Sequence, residues 1–140
     1  EESGYGDRIT FTGALPREDL GVAYAVLDIF VFPSLKDTQG WVLHEAAHAG
    51  LPIVLIDQKV TQVVHDGENG FFVENSPEAM AVPIIKLLRS KKLRTEMGER
   101  SRAIARRLTE KRQVKKLDTL YKKIVHAREQ ARASQAALEA

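Results

Sequence analysis

The sequence predicts an α/β fold, with a parallel sheet of about four strands, flanking helices and a C-terminal helical tail. Four short apolar runs are mostly continuous rather than alternating, which is typical of strands covered on both faces. Helical patterns separate the first three runs, as the crossovers between parallel strands require. After Val73 only helical patterns follow.

The four predicted strands are rich in Ile, Val and Phe. They span residues 9–12, 29–32, 52–56 and 71–73. The order strand, helix, strand, helix, strand predicts right-handed crossovers and a partial, doubly wound sheet of the Rossmann-like type. The Asp-Gly-Glu-Asn-Gly run at 66–70 is a turn signal directly before the last strand.

Start and stop signals delimit the predicted helices. The first spans residues 17–27 and places Leu20, Tyr24 and Leu27 on one apolar face. The second, Trp41–Ala49, ends before a Gly-Leu-Pro run. Ser76 caps a third helix, in which Pro83 predicts a kink or a local 3₁₀ turn. A fourth helix follows, and Thr109 caps the last one. The apolar residues of this last helix recur at helical spacing: Val114, Leu117, Tyr121, Ile124 and Val125.

Composition excludes several classes of protein. The chain of 140 residues contains no cysteine, which excludes a disulfide scaffold, a thiolate zinc site and a cysteine nucleophile. Its longest apolar runs, 29–32 and 51–56, are far too short to span a bilayer. The sequence starts without Met and enters a predicted strand almost at once, so we expect it to be a piece of a longer protein.

The near-neutral net charge of +2 hides two oppositely charged regions. Residues 1–85 carry 4 basic and 13 acidic side chains, a net charge of −9, whereas residues 86–132 carry 17 basic and 5 acidic ones, a net charge of +12. Such a basic tail could bind an anionic membrane or a nucleic acid, or could be an ordinary solvated helix face. Because Tyr121 is its one aromatic residue, it has no stacking platform, and we expect no nucleic acid partner.

A polar loop between the second predicted strand and the second predicted helix carries the predicted chemistry. In an open parallel sheet, ligands bind just beyond the carboxyl ends of the strands. The free backbone N–H groups at the start of the helix, together with its dipole, favour a diphosphate. These groups belong to Gln39, Gly40, Trp41 and Val42, and Gly40 would let a ligand approach the backbone closely.

Two carboxylates flank this predicted anion site. Asp37 precedes the helix, and Glu45 lies on its second turn. Because carboxylates repel phosphate, we expect their partners to be hydroxyl groups, and carboxylates accept strong bidentate hydrogen bonds from sugar diols. The alternatives are a loop or N-cap role for Asp37 and a solvated helix position for Glu45. Trp41 could stack on a ligand or pack on the protein.

The same helix contains a short zinc-protease pattern, His-Glu-x-x-His, at residues 44–48. Such a site needs a third ligand and an open water position. The helix is predicted to end two residues after His48, and His65 and His126 do not lie at motif spacing. Ordinary packed or partly exposed histidines are therefore favoured, and the zinc protease is kept as an alternative.

The stretch from Asp37 to Glu45 resembles the Glu-x7-Glu signature of family-four retaining glycosyltransferases, which have the two-domain GT-B fold. Flanking segments resemble the family too, in the family's order from residue 4 to about 125: 9–13, 28–34, 45–54 and 64–71. One departure is Asp37 itself, because the family mostly has Glu there. The Thr-Gln-Gly run at 38–40 resembles bacterial enzymes that glucosylate diacylglycerol.

The resemblance implies a site for a nucleotide-diphosphate sugar, with no essential metal and no cofactor. Glu45 would hold the ribose hydroxyls, and Asp37, as the catalytic residue, would bind hydroxyls of the donor sugar. Thr38 and the backbone groups that follow it would hold the sugar and the diphosphate. Gly13 and Leu15 would lie beside the base.

The resemblance also implies that other parts of the enzyme are missing. The chain would comprise a partial donor-binding domain, 1–108, and a basic C-terminal helix, 109–140. The family's Arg/Lys pair for the diphosphate and the N-terminal, acceptor-binding domain would precede it. We therefore expect a UDP-sugar donor, a lipid or saccharide acceptor, and no activity of the chain alone. We expect a cytoplasmic location, with peripheral attachment to an anionic membrane surface.

Overall fold

The computed structural model describes residues 4–57, 59 and 61–138. After a short 3₁₀ turn at Gly6–Arg8, these residues form five α-helices and three β-strands. In chain order they are α1 (Arg17–Ala25), β1 (Phe30–Phe32), α2 (Trp41–Ala49), β2 (Ile53–Leu55), β3 (Gly70–Phe72), α3 (Pro77–Arg89), α4 (Lys91–Arg107) and α5 (Glu110–Leu138).

The three strands form one parallel sheet with β2 in the centre. Phe30 pairs with Ile53, and Ile53 pairs with Gly70, so the strands are aligned from their first residues. α2 connects β1 to β2, as a parallel pair requires. The predicted α/β fold with a helical tail is therefore confirmed, with three strands described instead of about four.

The first predicted strand, 9–12, is wrong. Ile9 has extended backbone (φ −118°, ψ 123°), but its side chain is 51% exposed and that of Phe11 is 92% exposed. Among the described residues, no strand pairs with this segment. The physical reason is that an apolar run shows only a capacity for burial, whereas a strand needs a neighbour for its backbone N–H and C=O groups.

The helix boundaries follow local chemistry. α2 has the predicted bounds and ends at Gly50, whose φ of +82° is the left-handed conformation typical of a helix C-terminus. The Ser76 hydroxyl caps α3 by accepting a hydrogen bond from the Ala79 N–H at 3.1 Å. Pro83 forces no 3₁₀ turn, because α3 is α-helical along its whole length. α1 ends at Ala25, two residues earlier than predicted.

The central strand is covered on both faces. Ile53 and Leu55 of β2 belong to a cluster with buried residues of α2 and α4. Val54, between them, belongs to a second cluster with Leu87 of α3 and Met97 of α4. Successive strand side chains point to opposite faces, and all five residues are at most 2% exposed. This burial is the reason that the sequence of β2 is continuously apolar.

α4 lies close against the C-terminal end of α2. Gly98 has so little room that an added Cβ would overlap the Gly50 carbonyl oxygen. The buried Ser101 hydroxyl donates to the Leu51 carbonyl at 2.7 Å and accepts from the buried Asn69 amide at 3.2 Å. These contacts hold α2 and the start of β2 on α4.

α5 differs from the helices that cover the sheet. Every side chain from residue 110 to 131 is exposed. Its larger apolar residues share this exposure, at between 51% and 61%: Val114, Leu117, Leu120, Tyr121, Ile124 and Val125. In the part of the chain that the structure describes, no helix is both long and apolar enough to cross a membrane.

Candidate functional site

The candidate site lies where β1 ends and α2 begins. β1 ends at Phe32, and α2 starts at Trp41 after its N-cap residue, Gly40. Gly40 is buried and has a φ of +57°, a left-handed conformation that costs other residues about 1–2 kcal/mol. A glycine is therefore favoured at this entry into α2, which follows the carboxyl end of β1 as the sequence predicts.

Asp37 binds the loop backbone through one carboxylate oxygen. Its Oδ1 accepts a hydrogen bond from the Gln39 N–H at 2.9 Å and another from the Gly40 N–H at 2.7 Å. The backbone N–H groups of Gly40 and Gln39 lower the pKa of Asp37 by stabilising its charged form. Asp37 is therefore ionised at neutral pH, and it has the loop role that the sequence left open as an alternative.

Two of the four N–H groups predicted to hold a diphosphate thus have a partner inside the protein. Those of Gln39 and Gly40 bind Asp37. Those of Trp41 and Val42 lie in the first turn of α2, where an N–H group has no intrahelical acceptor. These two groups lie at the positive end of the α2 dipole, and the binding of a diphosphate there stays a prediction.

Glu45 is held by a residue that the motif did not single out. It is exposed on the second turn of α2, and its Oε2 accepts a hydrogen bond from the Tyr24 hydroxyl of α1 at 2.9 Å. Burial, followed by the hydrogen bond and the charge of Glu45, raises the pKa of Tyr24 to about 12. The hydroxyl therefore stays protonated. The available sequence signal was the position of Tyr24 on the apolar face predicted for α1.

Gly13 and Leu15 precede α1 and are not joined to Glu45 by any hydrogen bond within the described residues. Gly13 is exposed and has a φ of +65°, and Leu15 is half-buried. Leu15 lines a groove of about 580 Å³ together with Val22 and Val26 of α1. Their placement beside a nucleotide base stays a prediction.

A cavity of about 430 Å³ lies beside the start of α2. Its lining comes from the loop before α2, from α2, from the loop after β2 and from the junction of α4 and α5: Thr38, Gln39, Trp41, His44, Lys59, Thr61, Gln62, Leu108 and Gln113. The sequence predicted a role for the first three and missed the group from the loop after β2. The available signal was that both loops follow carboxyl ends of neighbouring strands.

Trp41 forms a wall of this cavity rather than part of the core. Its side chain is 69% exposed, and its Nε1 donates to Gln39 Oε1 at 2.8 Å. Its ring centre lies 5.9 Å from that of His44. Burial, and then the nearby His48, lower the pKa of His44, so this imidazole is neutral at pH 7. The wall therefore combines an aromatic face with neutral hydrogen-bonding groups.

The described residues do not support the zinc-protease alternative. Within them, no group of three or more His, Cys, Asp or Glu residues could hold a metal ion. Glu45, which would be the general base of such a protease, accepts a hydrogen bond from Tyr24 instead. His65 is engaged elsewhere, with its Nδ1 3.0 Å from Glu68 Oε2.

Sequence comparison identifies the family. Residues 1–90 match the family model described as "Glycosyl transferases group 1". The chain belongs to this family. A D-inositol 3-phosphate glycosyltransferase of Corynebacterium glutamicum (strain R) is 32% identical over 123 residues, which are 86% of this chain and 29% of that protein. The alpha-monoglucosyldiacylglycerol synthase of Acholeplasma laidlawii is 34% identical over 71 residues, which are 50% of this chain and 18% of that protein.

Comparison of folds agrees with this assignment. Sucrose-phosphate synthase from Thermosynechococcus elongatus matches this group 1 glycosyl transferase chain with a TM-score of 0.77 and 26% identity, over 89% of this chain and 32% of that chain. The predicted resemblance to glycosyltransferases of the GT-B fold is confirmed, and so is the enzyme class. The chain spans 29% of the length of the relative from Corynebacterium glutamicum.

Proposed function

We propose that this chain is the donor-binding part of a retaining glycosyltransferase, which moves a sugar from a UDP-sugar to a lipid or saccharide acceptor. One observation carries the proposal: the family match includes a sheet edge where two carboxylates, Asp37 and Glu45, flank the positive end of α2. The relative named as a monoglucosyldiacylglycerol synthase supports a lipid acceptor.

Each carboxylate keeps one oxygen for a hydroxyl ligand. Glu45 binds Tyr24 through Oε2, so Oε1 accepts from the ribose. Asp37 binds the loop through Oδ1, so Oδ2 accepts from the donor sugar. Ionised carboxylates form stronger hydrogen bonds with hydroxyl groups than neutral acceptors do. Asp37 thus couples the donor sugar to the loop that begins α2. In the same proposal Gly13 and Leu15 lie beside the base.

α2 supplies the electrostatic part of the mechanism. As the sugar leaves, negative charge increases on the nucleotide diphosphate. The N–H groups of Trp41 and Val42 and the helix dipole stabilise this charge, with Thr38 beside them. An exposed helix terminus contributes only about 0.3–1 kcal/mol, whereas enzymes lower barriers by about 8–23 kcal/mol. Lys59, which lines the adjacent cavity, adds one cation, and more are needed.

The remaining cations and the acceptor site belong, in this proposal, to a preceding part of the enzyme. This chain spans 29% of the first relative. Ile9 and Phe11 expose apolar side chains, and β1 has a strand partner on one side among the described residues. Both features are consistent with a preceding part of the enzyme that packs on these side chains and on the open edge of β1. We therefore expect no transfer of glucose from UDP-glucose to diacylglycerol by the 140 residues alone. Measurable product would overturn this part of the proposal.

UDP binding by the full-length protein that carries this chain tests the donor site. Glu45→Gln keeps the size of the side chain but removes its charge, so we expect UDP affinity to fall about tenfold in calorimetric titration. Glu74→Gln is the matched control, because Glu74 is an exposed loop carboxylate, and it should bind UDP like the wild type. Equal affinity of the Glu45 variant and the control would contradict the proposal.

We further propose that α5, as a unit distinct from residues 1–108, lies on an anionic membrane surface. Its exposed apolar residues fall within an arc of about 140° at 100° per residue. Between residues 111 and 123 the helix carries six basic side chains and one acidic one, Asp118, which pairs with Lys122 at 2.8 Å. Basic residues near anionic lipid contribute about 1 kcal/mol each, and cytoplasmic leaflets are anionic. In this proposal the enzyme lies on the inner face of the membrane and binds no nucleic acid.

Sedimentation with phosphatidylcholine vesicles, with and without phosphatidylglycerol, tests the membrane proposal. We expect binding only to the anionic vesicles, weakened by salt and largely lost in Ile124→Gln. Val82→Gln, on α3, is the control, because it removes an apolar side chain that is 68% exposed elsewhere. No binding to anionic vesicles would overturn the membrane proposal. Equal binding to DNA would favour the nucleic-acid alternative.

A further inference from the structure

We propose that Tyr24 is a positioning residue for nucleotide recognition: its hydroxyl holds one oxygen of the Glu45 carboxylate and thereby aims the other at the ribose. The inference rests on the proposed ribose role of Glu45. The hydrogen bond is 2.9 Å long, and it joins α1 to α2 across 21 residues of sequence. It thus sets the position of a site residue from a different helix.

Tyr24 is the single protein anchor of the Glu45 carboxylate within the described part of the chain. No ion pair and no other hydrogen bond there reaches either carboxylate oxygen. Glu45 is exposed, so without Tyr24 its side chain would sample several rotamers in water. A ligand would then have to immobilise that side chain on binding, and this ordering weakens affinity.

The Tyr24 ring is itself held in place. It is half-buried against the core, and its ring centre lies 5.8 Å from that of Phe30 at an interplanar angle of 49°. Phe30 in turn stacks on Phe32, with ring centres 6.3 Å apart. Both phenylalanines belong to β1, so the position of the hydroxyl is set by the sheet. The chain of contacts therefore runs from β1 through Tyr24 to Glu45.

The hydroxyl acts as a constant donor. Because burial and the neighbouring carboxylate raise the pKa of Tyr24 to about 12, it keeps its proton throughout the physiological range. A hydroxyl that always donates to Oε2 fixes the orientation of the carboxylate and leaves Oε1 without a protein donor among the described residues. Glu45 is then prepared to accept from a ribose hydroxyl before the nucleotide arrives, which favours ribose-containing nucleotides over those without that hydroxyl.

Tyr24→Phe separates this role from packing, because it keeps the ring and removes only the hydroxyl. In the full-length protein, we expect the Kd for UDP to rise about fivefold to tenfold. The Kd for 2′,3′-dideoxyuridine diphosphate, which offers Glu45 no ribose hydroxyl, should change less than about twofold. Thr119→Val removes an exposed hydroxyl that donates to the Lys115 carbonyl at 2.8 Å, and it should leave both values unchanged.

Five results bear on the inference. An unchanged Kd for UDP in Tyr24→Phe, or an equal loss for both nucleotides, would overturn it, since an equal loss indicates general damage to the fold. If Glu45→Gln weakens UDP binding and Tyr24→Phe does not, the positioning role fails and the ribose role stands. If Glu45→Gln has no effect, the ribose role fails first. The double variant should bind UDP no more weakly than Glu45→Gln alone, because both changes remove one coupled interaction.

Discussion

The sheet and α5 place the same kinds of apolar residue in opposite surroundings. Ile53 in β2 is fully buried, whereas Ile124 in α5 is 54% exposed. Helices of this chain cover both faces of β2, and the net charge of the region around it, residues 1–85, is −9. α5 belongs to the region with a net charge of +12, and its side chains from residue 110 to 131 face solvent. The difference shows that apolar periodicity indicates which face of an element can be buried. Whether another element packs on that face depends on the tertiary structure.

The largest expected effect tests this difference directly. Leu55→Ala removes a fully buried side chain from β2, so we expect it to lower the free energy of unfolding by about 2–5 kcal/mol. Leu117→Ala removes a side chain of α5 that is 51% exposed and should cost less than about 0.5 kcal/mol. Urea denaturation of both variants measures the two costs. Equal costs would show that α5 is packed in the isolated chain and would remove the contrast.

A smaller effect is expected where α2 meets α4. Gly98→Ala brings a Cβ against the Gly50 carbonyl oxygen, and relief requires movement of one helix, so we expect a loss of about 1–3 kcal/mol in stability. Gly21→Ala, on α1, has open space around the new Cβ and should raise stability by about 0.5–1 kcal/mol. Thermal melting of the pair provides the measurement. A Gly98 variant as stable as the wild type would mean that the sheet and its helices are more loosely packed than the close approach indicates.

The smallest expected effect concerns Asp37, in the loop between β1 and α2. Because its hydrogen bonds to Gly40 and Gln39 lower the pKa of Asp37 in the folded state, its contribution to stability is present at neutral pH. It is lost as the pH falls below the ordinary aspartate value of 3.8 and through the lowered one. The stability difference between the wild type and Asp37→Asn should therefore shrink in acid, measured by urea denaturation at a series of pH values. A difference that is constant with pH would show that the charge of Asp37 does not contribute.

Local features of this fold were predictable from the sequence because neighbouring residues decide them. The bounds of α2 depend on Gly50 and on apolar spacing within two turns, and the start of α3 depends on Ser76 and a backbone N–H three residues later. The same holds for part of the candidate site, since Asp37 and Gly40 lie on one short loop. The bond between Asp37 and its own loop was predicted only as an alternative, because a carboxylate in a loop can bind either backbone or ligand.

Features that join distant segments were not predictable in this way. Periodicity placed Tyr24 on the inner face of α1, but a hydrogen bond requires two atoms within about 3 Å, and only the packing of α1 on α2 brings its hydroxyl to Glu45. Lys59 shares a cavity with Trp41 because two loops leave the same edge of the sheet, although 18 positions separate them in the sequence.

The sequence by itself determined the α/β class, the order of the helices, the glycosyltransferase family and the split between an acidic sheet region and a basic tail. These properties are encoded by composition, spacing and motifs along the chain. Tertiary structure decided that residues 9–12 form no strand, that Trp41 stays exposed, that α5 has an uncovered apolar face and that Tyr24 holds Glu45. Each of these four features depends on whether another segment of the chain lies within contact distance. The local sequence specifies which side chains can make such a contact, but it does not specify which segment they meet.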